Sequence, residues 1–194
     1  MRKIFFILSL MLCLPGIGQD GYRDEGCITD DEYRLYLLIN EYREEKGLPS
    51  IALSSSLCYV AGAHAWDLEE NQPDNGRCNM HSWSKHGPWS SCCYTDDHKK
   101  AECVWSKPSE LTRYEGFGYE IAYYNSRTVH EHEDIARAAL DGWKTSPGHN
   151  RIIINKYAWR RMNWKAMGVG IYKHYVVVWF GEEKDKAGRP KECR

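Results

Sequence analysis

The chain has 194 residues, 42% hydrophobic and 13% aromatic, enough for one domain with a proper core and too few for two comfortable ones. Its formal net charge is −1 with acids and bases intermixed, so the sequence offers no support for nucleic-acid binding and leaves room only for a local basic patch. The first residues read as a secretory signal peptide: Arg2 and Lys3 precede an almost unbroken apolar run over 4–14, and Gly16 and Gly18 stand at −3 and −1 of a cut before Gln19. That run is shorter than the roughly 20 residues needed to span a bilayer, so no membrane span is expected after cleavage, and a secreted, periplasmic or extracellular location is. Cleavage leaves Cys27, Cys58, Cys78, Cys92, Cys93, Cys103 and Cys193, all disulfide candidates in an exported chain. The odd count leaves at least one thiol free or paired between chains. The adjacent Cys92 and Cys93 are expected to take different partners, and no CxxC pair suggests a zinc knuckle.

In chain order, residues 19–30 form a polar lead-in, and Thr29 to Asp31 can cap a helix reaching Gly47, with Leu35, Leu38 and Tyr42 on one face. Ser54 to Ser56 can cap a second helix through Leu57, Val60, Ala61, His64 and Leu68, whose Ala and Gly content predicts close packing. From 72 to about 115 helical periodicity disappears. A loop of that length should be functional or pinned, and its four cysteines supply pins. Residues 118–124 read as a strand, 131–143 as a helix with Ile135, Ala139 and Leu140 on one side, and 167–172 and 175–180 as two strands, the second (VVVWF) central. The charged tail from 182 is expected to be tied down by Cys193. This order predicts an α+β domain with helices packed on a sheet.

Ser146-Pro147-Gly148-His149 carries a helix-start signature: Ser is a preferred N-cap and Pro suits the first turn. His149 then falls near the positive end of a short helix through 151–154, which favours the neutral imidazole that binds metals or acts as a base. Glu120 lies within an apolar strand, where an unpaired carboxylate is costly, so it needs partners; His81 and His149 are natural candidates. His64 reads as a satisfied core residue, and His130 and His132 as surface residues without a role. The tryptophans at 83, 89 and 105 read as loop packing, or alternatively as a groove wall for an apolar or sugar ligand.

Several blocks, in order, resemble the family of cysteine-rich secretory proteins, antigen 5 and pathogenesis-related proteins (the CAP superfamily) in its bacterial form. They are Ile39-Asn40-Glu41-Tyr42-Arg43 with Gly47-Leu48; His81-Ser82; Gly118-Tyr119-Glu120-Ile121-Ala122; and Trp143 through Ser146-Pro147-Gly148-His149, followed by Gly168-Val169-Gly170 and Trp179-Phe180. The resemblance implies a three-layer α-β-α sandwich over 31–183, with a cysteine-rich loop insertion at about 82–116 and a tail at 184–194. It also implies an open cleft in which His81, Glu120 and His149 match three members of the family's two-His, two-Glu set. Ser146 stands where the second Glu would be, so the tetrad is a triad.

By that resemblance the trio can hold zinc or another divalent cation with an open fourth position, and Trp83, Trp143 and Ser146 border a ligand cleft. The function expected is a non-enzymatic extracellular binding module for a small-molecule or lipid ligand, or for an extracellular protein. The rivals are a hydrolase using Glu120 with His81 and His149, with Ser146 or Ser82 as the nucleophile that could be proposed, and an interaction protein acting through its Trp/Cys-rich insertion.

Overall fold

The computed structural model describes residues 27–126 and 134–193; the expected signal peptide, most of the lead-in, His130 and His132 lie outside the described residues. Helix α1 (Asp30–Glu45) starts on a capping box: the Thr29 side chain accepts from Glu32 N–H, and Glu32 Oε2 accepts from Thr29 N–H at 2.8 Å. It ends at Gly47, whose φ of +72° lies in the left-handed region that favours glycine. After β1 (Ala52–Leu53), Ser54 caps α2 (Ser55–Asn71) by accepting from Leu57 N–H at 3.0 Å. Asp185 from the tail reinforces this end, accepting from Ser54 Oγ at 2.7 Å and from Ser56 N–H at 2.8 Å.

The sheet runs β1-β3-β4-β2, with β2 Gly118–Tyr124, β3 Ala166–Tyr172 and β4 Tyr175–Gly181; β1 pairs parallel to β3 and the other pairs are antiparallel. Every residue of β4 is buried, as expected of a central strand covered on both faces. On one face Val169, Val178 and Phe180 pack with α1, α5 (Ile135–Thr145) and α6 (Pro147–Ile153). On the other, Ala122, Val177 and Trp179 meet α2. Two helical layers thus enclose one sheet.

The close approach of α2 follows from glycine. A Cβ on Gly170 would lie 2.3 Å from the Ala61 carbonyl carbon, and one on Gly168 only 2.0 Å from that of Leu57.

The long loop is not without helix: α3 (Ala101–Trp105) and α4 (Lys107–Leu111) form within it. Each is five residues, too short for a periodic stripe to show in sequence. Cys78–Cys93 and Cys92–Cys103 staple this region, so the adjacent cysteines do take different partners, and Cys27–Cys193 ties the tail to the chain before α1. Cys58 is the exception among the disulfide candidates. It is buried in α2 as a free thiol that burial pushes up to about 12, which makes it unreactive.

Candidate functional site

Glu120 sits on the edge strand β2, on the face turned to α2, with its side chain 1% exposed. Both oxygens are occupied: Oε2 lies 2.5 Å from His64 Nδ1, and Oε1 lies 2.7 Å from His81 Nδ1. His64, fully buried on α2, also places Nε2 2.9 Å from the Ser82 carbonyl oxygen. A carbonyl only accepts, so Nε2 carries a proton; an ionised Glu120 only accepts, so Nδ1 carries the other. His64 is then an imidazolium paired to a carboxylate. Its ring stacks on Trp83 with centroids 4.2 Å apart and planes 8° from parallel, where the aromatic face favours a cation.

Burial opposes charge on both partners, and the pair overcomes it. His64 is raised because the charge and hydrogen bond of Glu120 outweigh desolvation; Glu120 is lowered because those of His64 and His81 do the same.

His81, in the loop after α2, is the exposed member, with 24% of its side chain accessible. Donating Nδ1–H to Glu120 leaves the Nε2 of a neutral His81 as a lone pair. The loop is held in place by a second buried carboxylate: Asp67 on α2 accepts from Ser84 N–H at 2.7 Å and from Ser84 Oγ at 2.5 Å. Ser82 is fully buried and spends its hydroxyl on the Tyr94 backbone, donating to the carbonyl at 3.3 Å and accepting from N–H at 2.9 Å. It therefore offers no nucleophile.

His149 begins α6 but makes no bond to Glu120. Its Nδ1 lies 2.9 Å from Ser146 Oγ, so Ser146 holds the N-cap position while its hydroxyl meets the imidazole rather than the helix backbone. Burial, followed by the charge of His81, lowers His149 and favours its neutral form.

The trio expected from sequence therefore differs from the arrangement found. Glu120 is clamped by His64 and His81, while His149 stands apart from it, near enough only for His81 to be felt. Each Glu120 oxygen already accepts from an imidazole, so a cation held by His81, Glu120 and His149 would have to share or displace those bonds. Among the described residues no group of three His, Cys, Asp or Glu side chains is placed to hold an ion. What a cation could still use most freely is the Nε2 of His81 and that of His149.

His81 and Glu120 open on a cavity of about 330 Å³ walled by Tyr94, Trp105, Tyr119 and Trp159, with Ile152 and His98 at its margin. Tyr119 links the walls, its ring centroid 5.3 Å from Trp105 and 5.2 Å from Trp159. The segment over 82–116 supplies Tyr94, His98, Ala101, Val104 and Trp105 to this lining. Trp83 and Trp143, expected at the cleft, lie in the core instead, 2% and 1% exposed. Trp83 underlies His64, and Trp143 Nε1 donates to the Ala122 carbonyl at 3.1 Å. His64 was legible only as a core residue; its spacing of three from Asp67, two polar residues on the packed face of an Ala-rich helix, was the available signal.

The charged cluster makes folded stability depend on pH. The part contributed by Glu120 is complete above its ordinary value of 4.5 and drains away as pH falls through its lowered value. His64 contributes fully below its ordinary 6.5 and loses that contribution as pH rises through its raised value. His149, lowered, adds a part that is complete above 6.5 and lost on acidification. Denaturation midpoints measured across pH are expected to peak near 6.5 and fall on both sides. A profile that keeps rising above that point would contradict the buried imidazolium.

A four-stranded sheet between two helical layers is the architecture this chain shares with solved structures of SCP-domain proteins. The chain belongs to the CAP family, the cysteine-rich secretory protein family, whose profile matches residues 36–178. Among solved structures it is similar to an extracellular protein containing a SCP domain from Bacillus anthracis, at 18% identity and TM-score 0.52, covering 79% of this chain and 40% of that one. It is also similar to an outer surface protein of Borrelia burgdorferi, at 19% identity and TM-score 0.52, covering 79% of this chain and 93% of that one. These likenesses show the fold. The chain thus spans less than half of the Bacillus protein, and a search of curated proteins finds no match. No described helix is long and apolar enough to cross a membrane.

Proposed function

We propose that this protein is an extracellular, non-enzymatic binding module whose aromatic cleft takes a small ligand with an apolar body and a hydrogen-bonding head. The observation that carries the reading is the state of Glu120: burial opposes its charge, but His64 and His81, one on each oxygen, outweigh it and hold the carboxylate below its ordinary value, which makes it a weak base beside the cavity. The walls offer aromatic surface, and the exposed edge of His81 offers one polar contact, the usual division of labour in a small-molecule site. The extracellular assignment rests on family membership and on the names of the two bacterial neighbours.

The test is a titration of small apolar acids and alcohols followed by tryptophan fluorescence, since Trp105 and Trp159 stand in the wall. Tyr119→Ala is expected to weaken binding about tenfold, and His81→Ala to weaken it for ligands with a polar head. Binding that neither variant changes would reject the cleft.

A divalent ion taken here would rest on the Nε2 atoms of His81 and His149, with Glu120 behind His81 as the orienting carboxylate. Two protein ligands predict weak zinc binding, lost in the His81→Ala/His149→Ala pair. The hydrolase reading rests on the 2.9 Å contact between Ser146 Oγ and His149 Nδ1. Esterase or peptidase activity abolished by Ser146→Ala would replace the binding reading with that one.

A further inference from the structure

The cleft makes no use of the charged tail, which folds back onto the start of α2. Ser55 N–H donates to the Gly188 carbonyl at 2.8 Å, Ile28 N–H donates to the Lys191 carbonyl at 2.8 Å, and the Cys27–Cys193 bridge fixes the end. This return walls a second cavity of about 430 Å³ that shares no residue with the first. Buried Leu53 and Ala166 line it with Tyr36 and the exposed Ala52, and Lys165, Lys184 and Arg189 stand around it.

Asp185 is the one acid in the wall, and both of its oxygens are engaged. Oδ2 accepts from Ser54 Oγ and Ser56 N–H, and Oδ1 accepts from Ser56 Oγ and Ala187 N–H, both at 2.9 Å. Capping α2 thus occupies this carboxylate. The three rim cations have no ion-pair partner within 4 Å among the described residues. Arg189 is steadied instead by the Tyr33 ring, 4.8 Å from its guanidinium carbon, with Glu192 a further acid whose charge it feels. A chain of near-zero net charge has here gathered three cations, against the single carboxylate of Asp185, around a concave apolar surface.

We propose that this pocket binds an organic phosphate, its oxyanion head held by Lys165, Lys184 and Arg189 and its organic part resting on Leu53, Ala166 and Tyr36. Arg presents a planar fork matched to phosphate oxygens, and the two lysines add point charges on flexible stems. The volume exceeds what a bare phosphate fills and lies within the ordinary range for small-molecule sites. The head could belong to a soluble phosphate ester or to a phospholipid; the chemistry of recognition is the same.

The experiment titrates glycerol 1-phosphate into the full chain by calorimetry, and in parallel cosediments the chain with phosphatidylglycerol or phosphatidylcholine vesicles. Wild type is compared with Lys165→Gln/Lys184→Gln/Arg189→Gln and with the single exposed change Lys184→Glu, each checked for fold by circular dichroism. The triple variant is expected to lose at least about tenfold in affinity, Lys184→Glu to move the same way, and added salt to weaken wild-type binding. His81→Ala is expected to bind like wild type, which separates this pocket from the cleft. Binding of the soluble ester alone assigns a soluble ligand; binding to phosphatidylglycerol but not phosphatidylcholine assigns a headgroup, provided the triple variant loses it. Equal binding by wild type and triple variant, or binding of neither probe, overturns the proposal.

Discussion

Glu120→Ala is expected to lower stability by about 3–5 kcal/mol, because it removes one partner of a fully buried ion pair and leaves the other in the core. His64 would have to shed a proton or sit charged beside Trp83 with only the Ser82 carbonyl to meet it. His81 would lose the acceptor that sets its tautomer. Glu120→Gln separates charge from hydrogen bonding. A neutral His64 keeps Nε2–H on Ser82 and can accept at Nδ1 from the new amide, while the amide oxygen still accepts from His81. Near neutral pH the Gln variant should therefore recover most of the loss. Its stability should also no longer fall on the alkaline side, because burial without the carboxylate keeps His64 neutral there. Chemical denaturation at several pH values reads both outcomes. An alkaline arm that persists in Glu120→Gln would show that the arm does not come from the pair.

Gly170→Ala is the second large effect, expected at about 3 kcal/mol or more, or as loss of soluble protein. The new methyl would fall 2.3 Å from both the Ala61 carbonyl carbon and the Gly62 nitrogen, backbone atoms that no rotamer change can move aside. Helix α2 could yield only by sliding off β3, yet its first turn is held by Asp185 and its middle by the His64–Glu120 pair. Displacement of α2 would thus disturb the cleft as well as the core. Gly148→Ala is the control, since a Cβ there meets nothing within 4 Å and φ is ordinary; it should be near neutral. Thermal midpoints of the two variants test the argument directly, and equal midpoints would reject it.

The main elements were legible because each carries a local cause. Thr29 and Ser54 cap helices where capping side chains were expected, Gly47 stops one, and the apolar run over 175–180 is the strand buried on both faces. Elements without a local cause were not legible. β1 is two residues long and exists because it pairs with β3, and α3 and α4 are single turns pinned by the Cys92–Cys103 bridge and the buried Lys107. Lys107 could not be read as buried from sequence. Its ammonium is satisfied by the Ser90 carbonyl and Glu110, both at 2.5 Å, contacts that only the folded loop creates.

Glu120 divides what sequence determined from what tertiary structure decided. Sequence alone established that a carboxylate in an apolar strand must have partners, since the cost of burying charge holds whatever the fold, and it singled out His81 as one of them. Only the packing of α2 on the sheet, through the glycines of β3, delivered His64 as the other and left His149 to Ser146. Residue type fixes the need for a partner, whereas which partner is found depends on distances between segments 56 residues apart in the chain, and these exist only once the layers close.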